Sequence, residues 1–299
     1  MRKGGSTPDM AEARTTVVIA TRDRRDDLSR TLSTLAEHAP GVPVVVVDNG
    51  SRDGTSAHVR ARFPTVSVLE LDRNLGASAR NLGVELARTP YVAFSDDDSW
   101  WAPGALSLAE AVFDGHGRLG LLAARVLVGP EHRPDPVNRL LADSPLRAPG
   151  LPGPPVLGFV CCAAIVRREA YRQVGGINPV LFFIGEERLL AWDLAAAGWV
   201  SCYVDTVVAH HHPSPRRGST HARRVLELRN DLLTTWLRRP ARLGWSAFGA
   251  LARKGVTDSA ARVALRGALR RLPAALRARH RLPEAVQHQI DLLQRASAR

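Results

Sequence analysis

VVVVDNGSRDGT, residues 44–55, is the stretch on which the reading of this chain turns. Four consecutive valines follow Pro43. An unbroken β-branched run, rather than an alternating one, is the pattern of a strand buried on both faces. The run stops at the turn formers Asp48, Asn49, Gly50 and Ser51, and Asp53-Gly54-Thr55 then opens a helix. A doubly buried strand needs helices on both faces of its sheet, so this stretch predicts an α/β domain.

Working outward, residues 15–20 are a short β-branched run, and Leu28, Leu32 and Leu35 give residues 26–38 helical spacing. Strands are expected over residues 66–71, 91–94 and 119–128. Helices are expected over residues 53–62, 76–88 and 103–116, the last with Pro103 in its first turn. Further on, residues 156–166 read as a strand and 168–174 as a helix. A helix over 186–197 and a strand over 199–209, broken near Asp205, follow. This alternation predicts a mainly parallel central sheet flanked by helices. Residues 130–155 hold eight of the 20 prolines and are expected to be an irregular loop, a candidate lid. Residues 1–14 read as a disordered tail, residues 15–212 as the α/β domain and residues 213–299 as a basic helical extension. In that extension Val225, Leu228, Leu232 and Trp236 share one face. Leu265, Leu269, Leu272 and Leu276 form a stripe opposed by Arg262, Arg266 and Arg270, and Pro240, Pro273 and Pro283 are expected to divide the helices.

Composition narrows the class. With 45% hydrophobic residues over 299 positions the chain can build a sizeable core and is not globally disordered. The net charge of +12 is concentrated: residues 213–281 carry 17 Lys/Arg against 3 Asp/Glu. Such a cluster suits an anionic surface, a membrane lipid or a phosphate-bearing acceptor. It lacks the interleaved aromatics and motifs of nucleic-acid binders, so no nucleic-acid partner is expected. Three cysteines without framework spacing argue for a reducing compartment. No apolar segment has the look of a signal peptide or a membrane span, so a cytoplasmic protein is expected, peripheral on the inner face of the cell membrane if it touches lipid.

In open α/β sheets ligands bind beyond the carboxyl ends of the strands. Those ends carry Thr21 with Arg24 close by, then Asp48-Asn49, then Asp96-Asp97-Asp98. Carboxylates packed at a strand end repel one another unless a cation neutralises them, and hard divalent ions prefer such oxygens. The His210-His211-His212 run follows a strand, and an imidazole beside a carboxylate favours Mn²⁺ over Mg²⁺. Glu186-Glu187 opens a helix, where acidic residues complement the dipole and where one carboxylate could also serve as a general base. Arg73 and Arg80 flank a strand-to-helix turn suited to diphosphate. No GxGxxG or GxxxxGK[ST] occurs, which argues against dinucleotide and P-loop chemistry.

Taken together these words resemble the family 2 glycosyltransferases with their GT-A fold. The resemblance covers about residues 15–239 and is carried by VVIATRDR (17–24), VVDNGSRDGT (46–55), RNLG through RNLG (73–83), FSDDD (94–98), GEE through AGW (185–199) and VVAH (207–210), all in family order. It implies an inverting transfer of a sugar from a nucleoside-diphosphate sugar, a UDP- or dTDP-sugar, to the hydroxyl of a glycan, lipid-linked or small-molecule acceptor. It further implies that Asp48 reads the donor base and Asp96 faces the ribose, while Asp98 and His210 hold a divalent metal, Mn²⁺ or Mg²⁺, on the diphosphate. Thr21, Arg24, Asn49, Arg73, Arg80 and Asp97 complete the expected donor site. Glu187 stands where the family commonly has its base Asp; Glu-Glu in place of Glu-Asp leaves either Glu186 or Glu187 as the base, and the triplet of histidines leaves the imidazole ligand open. A sugar-phosphate nucleotidyltransferase is an alternative without the Gly-rich N-terminal loop such enzymes carry. A non-catalytic nucleotide-sugar-binding protein is the other, opposed by Asp98, Glu187 and His210.

Overall fold

The computed structural model describes residues 13–214 and 219–297. Most of the expected tail, residues 1–12, lies outside the described residues; Arg14 does not, and it holds Asp114 through two guanidinium nitrogens at 2.6 and 2.8 Å. The first half alternates as expected. β1 (Thr15–Thr21), α1 (Arg25–His38), β2 (Val44–Asp48), α2 (Thr55–Arg62), β3 (Ser67–Glu70), α3 (Ala79–Leu86) and β4 (Tyr91–Ser95) form a parallel unit in the order β3-β2-β1-β4. The valines of β2 are buried on both faces, Val46 and Val47 completely. Gly83 of α3 sits directly over Val18 and Val47, where any Cβ would collide with Val18, so the helix lies close on the sheet.

The second half departs from a parallel arrangement. It comprises β5 (Ser99–Trp101), α4 (Ala105–Gly115), β6 (Leu119–Val128), β7 (Arg133–Pro134), α5 (Pro136–Ala142), β8 (Ala164–Arg167), α6 (Arg168–Gln173), α7 (Glu186–Ala196) and β9 (Val200–His211). β8 is antiparallel to both β4 and β6, β6 and β9 are parallel, and β5 closes the far edge antiparallel to β9. The sheet of nine strands is therefore mixed, within the expected α/β class. The break expected near Asp205 is a bulge: Ala124 faces Val204 while Arg125 faces Val208, leaving Asp205, Thr206 and Val207 without counterparts.

Two expectations are corrected. Residues 130–155 are not wholly irregular, because Pro136 occupies the first turn of α5, where its missing N–H costs nothing, and Asp135 caps that helix through the Val137 N–H. Of the predicted strand at residues 156–166, only its end, from Ala164, forms a strand of the sheet; its start touches β9 through one bond, Val156 N–H to the Ser201 carbonyl at 2.9 Å, and the stretch then passes through a single 3₁₀ turn, Cys161–Ala163.

α8 (Thr220–Arg238), α9 (Ala241–Thr257), α10 (Ser259–Arg277) and α11 (Glu284–Ser297) pack on the α/β unit rather than hanging from it. A buried, bidentate pair joins Arg238 of α8 to Asp193 of α7 at 2.5 and 2.8 Å. Leu282, Val286 and Ile290 meet Trp192 and Leu146. The expected leucine stripe of α10 is also corrected. Half of it packs: Leu265 and Leu272 lie partly buried against the cluster shared with α8, beside the buried Ala261, Ala264, Ala268 and Ala275, while Leu269 and Leu276 stand 48% and 46% exposed. Pro273 lies inside α10 without ending it.

Candidate active site

The carboxyl ends of β1, β2 and β4 lie side by side, as their parallel registers require. Thr21 donates from Oγ1 to Asp97 Oδ2 at 2.9 Å, and Thr31 of α1 donates to the Asp97 carbonyl at 2.9 Å. Burial first, then the charges of Asp96 and Asp98, push the Asp97 carboxyl up to about 7. Asp96 pairs with Arg80, a guanidinium reaching from α3 that is itself buried and whose Nε has no protein partner. Arg24 pairs with Asp27 at 3.4 Å, and Arg73 is exposed beside Gly50.

Asp48 is 2% exposed, and both of its oxygens are engaged by its own loop: the Ser51 N–H donates to one at 2.9 Å and Ser56 Oγ to the other at 2.5 Å. Asn49 works outward, accepting from the Leu75 N–H at 2.7 Å and donating to the Gly76 carbonyl at 3.0 Å. Asn49 thus joins the VVDNGS word to the RNLG word in space.

The histidine run divides. β5 pairs with β9 so that Ser99 faces His211 and Trp100 faces His210. His211 Nε2 comes within 3.4 Å of Asp98 Oδ1. His210 does not join Asp98: it stacks near Trp100, with its Nδ1 3.0 Å from that of His132, and His212 lies against Trp100 as well. The structure thus brings His211, rather than the expected His210, to the last aspartate of the triplet. Asp98 also accepts from the Ser214 N–H at 2.9 Å and lines a cleft of about 440 Å³ beside Trp100 and α1. Among the described residues no group of three or more His, Cys, Asp or Glu is arranged to hold a metal alone. A carboxylate and an imidazole converging beside further carboxylates nevertheless suit a borderline divalent ion that takes its remaining ligands from diphosphate and water.

Glu186 and Glu187 open α7 after a left-handed Gly185. Glu186 is 3% exposed and its Oε2 has no protein partner; burial first, then Glu187, raise its carboxyl to about 8. Glu187 is raised too, chiefly by burial, and it lines a cleft of about 310 Å³ with Phe159, Arg188, Glu227 and Asp231. Arg80 and Asp96 act electrostatically on both glutamates, so the pair stands next to the β4 edge. Cys161 is buried there as well, and burial raises its thiol well above the usual range. No motif marked that cysteine, and only its fold position brings it near Arg80.

A mixed α/β sheet with a carboxylate-rich edge, one buried arginine and a facing glutamate pair defines a transferase of GT-A architecture. Residues 16–175, more than half of the chain, match the family model described as Glycosyl transferase family 2, and the chain belongs to that family. It is 28% identical over 282 residues to the N-acetylglucosaminyl-diphospho-decaprenol L-rhamnosyltransferase of Mycobacterium tuberculosis, covering 79% of this chain and 90% of that one. It is 32% identical to the pre-mycofactocin glycosyltransferase of the same organism over 68% of this chain and 43% of the relative. Among solved structures it is similar to the mannosyltransferase PcManGT from Pyrobaculum calidifontis, in complex with GDP-Man and Mn²⁺, at TM-score 0.59 and 22% identity, covering 95% of this chain and 79% of that one. It is also similar to S. aureus TarS, of which it spans 40%, at TM-score 0.56 and 18% identity over 75% of this chain. The protein is a glycosyltransferase enzyme.

Proposed function

We propose that the protein transfers a sugar, with inversion, from a UDP- or dTDP-sugar to an acceptor hydroxyl, with Glu187 as the acceptor-activating base. The observation that carries this reading is the position of Glu187. It opens onto a cleft built with α8, while the Arg80–Asp96 pair stands nearby at the end of β4. A carboxylate whose proton affinity is raised by burial is a stronger base toward a hydroxyl than an exposed one. Glu186, more deeply buried, lies behind it.

Asp98 and His211 would hold the divalent metal, which supplies charge neutralisation for the departing diphosphate. Arg80 adds a fixed positive charge that no proton loss removes at working pH. Asp96 and Thr21, with the loop that Asp48 and Asn49 brace, would seat the nucleoside, and Arg24 and Arg73 flank it. Neighbours solved with Mn²⁺ and nucleotide or nucleotide-sugar support a metal and such a donor. A relative named for transfer to a decaprenyl-diphosphate-linked sugar supports a lipid-linked acceptor, met at the surface of a membrane. Among the described residues no helix is long and apolar enough to cross one.

A screen of nucleotide-sugars for release of nucleoside diphosphate, with chelator and with Mn²⁺ or Mg²⁺ restored, tests the reading. One donor turned over only with metal, and Glu187→Gln slower by about 10²-fold with donor binding kept, is the expected result. Full turnover in chelator would remove the metal, and an unimpaired Glu187→Gln would remove the base.

A further inference from the structure

The backbone just ahead of the glutamate pair is held from outside the α/β unit. The Val180 carbonyl accepts from Arg271 Nη1 of α10 at 2.9 Å. The Leu181 carbonyl accepts from Arg229 Nη2 at 2.7 Å and from Asn230 Nδ2 at 3.1 Å, both on α8. The same amide nitrogen of Asn230 lies 2.7 Å from the Phe183 carbonyl and 2.5 Å from that of Ile184. Three carbonyls of one turn therefore converge on one neutral donor. Asn230 is 1% exposed and Arg229 8%, so water does not replace these bonds.

The turn needs such a hold. Phe182 and Ile184 have φ of 67° and 73°, left-handed values that non-glycine residues adopt only when their surroundings impose them. On its other side the Phe182 carbonyl accepts from the Ala77 N–H at 2.6 Å and presses on Gly76, where a Cβ would collide with it. The turn is thus clamped between the RNLG word and the helical extension. Gly185 ends it, and Glu186 is the next residue.

We propose that Asn230, backed by Arg229 and Arg271, is a positioning residue for sugar transfer: it locks the Phe182–Gly185 turn and so sets where Glu186 and Glu187 stand relative to Asp96 and the acceptor cleft. This rests on the reading of Glu187 as the base. It makes the helical extension part of the catalytic centre. Displacement of a reacting group by about 1 Å is enough to cost about 10²-fold in rate.

The test uses the full chain, the nucleotide-sugar returned by the donor screen with water as acceptor, and calorimetric binding of nucleoside diphosphate with Mn²⁺. Asn230→Ala should lower kcat by about tenfold or more, with donor KM and diphosphate Kd within about twofold. Arg271→Met, which keeps the stem and removes the Val180 bond together with the guanidinium over the Phe182 ring, should lower kcat by about threefold with the same split, and it carries the test if Asn230→Ala does not fold. Glu186→Gln and Glu187→Gln are run alongside. Wild-type kcat in the folded clamp variants, with Glu187→Gln crippled, would overturn the positioning role and leave the base in place. A parallel loss of kcat and diphosphate binding would mean a merely structural role and would equally overturn it. Unimpaired glutamate variants would remove the base itself, and the clamp with it.

Discussion

Side chains of adjacent residues on a strand point to opposite faces, and this pleat sorts the histidine run. His211 is turned toward Asp98, while His210 and His212 share the other face with Trp100. In the sequence the three are equivalent, because the register against β5, a strand of three residues, is what separates them. His211→Ala and Asp98→Asn should each raise the Mn²⁺ concentration for half-maximal activity by at least about tenfold, the loss typical even of groups one step behind a metal ligand. His210→Ala should leave it unchanged, and the reverse order in a Mn²⁺ titration would return the ligand to His210. Glu186 gives a second test, with the sign set by burial. The unfolded chain releases this proton near the ordinary 4.5, whereas the folded protein keeps it to about 8. The folded state therefore binds the extra proton between those values, and the group's contribution to stability falls as pH rises through that window. Glu186→Gln is neutral throughout, so its melting temperature should gain on wild type from pH 5 to pH 8. A gap that stays constant between the two pH values would mean that Glu186 is not held buried. The aspartates and glutamates were legible because they end strands or open a helix in recognisable words. Asn230 was not, because it meets Leu181 across 49 positions and nothing local marks the meeting.

Elements were legible where one hydrophobic period had one cause. The β2 valines and the leucines of α1 behave as their spacing requires, with Leu28, Leu32 and Leu35 all buried. The run at residues 156–166 misled because its side chains are buried in different places: Val156 and Phe159 enter the core beneath the sheet, Leu157 enters the cluster under α11, and hydrophobicity alone does not reveal a missing ladder partner. The proline-rich stretch misled in the opposite sense. Its prolines bracket α5 instead of interrupting it, and Asn138 on that helix holds both backbone groups of Val126, accepting from its N–H and donating to its carbonyl, each at 2.8 Å. Asn138 is 8% exposed, so Asn138→Ala would leave the buried Val126 N–H of β6 without a partner, while the Val126 carbonyl keeps the Asp135 N–H at 3.0 Å. The expected cost is about 1–3 kcal/mol, read as a lowered midpoint in urea with an unchanged slope. A change below about 0.5 kcal/mol would show that α5 is not fastened through this residue and would restore the stretch as a loose lid. Ser144, which donates to the Pro155 carbonyl at 2.5 Å, ties the other end of the stretch and leaves its exposed middle, around Pro149 and Gly150, as the place a protease would reach first.

At the scale of the whole molecule, the basic extension faces two ways. Its inner surface is close-packed, with buried alanines on α10, the Arg238–Asp193 pair sealed beneath, and Arg229 and Arg271 spent on the carbonyls of Leu181 and Val180. Its outer surface on α10 carries Arg266, Arg270 and Arg277, exposed among Val263, Leu269 and Leu276, which are 46%, 48% and 46% exposed. Arg262 is on that helix too, but it is engaged with the carbonyls of Gly255 and Val256 at the end of α9. The charge excess was readable from composition; which leucines face outward was not, because that depends on which face of α10 packs against α8. Apolar side chains spaced among arginines on one exposed helix face suit the boundary of an anionic bilayer, where leucines enter the acyl region and arginines meet phosphates. Each arginine near such a surface contributes about 1 kcal/mol, and three together are enough to move the enzyme between solution and vesicle. The expected outcome is sedimentation with vesicles that grows with the fraction of anionic lipid and falls as salt shortens the screening length. Arg266→Gln, Arg270→Gln and Arg277→Gln combined should abolish the salt-sensitive part, and Leu269→Ser with Leu276→Ser should weaken binding without changing its salt dependence. None of these side chains lines the cleft of Glu187, so turnover of nucleotide-sugar with water as acceptor should be unchanged in both variants. Equal recovery in the supernatant with neutral and anionic vesicles at low salt would assign the outer arginines to solvent alone, and the acceptor would then have to reach the Glu187 cleft from solution.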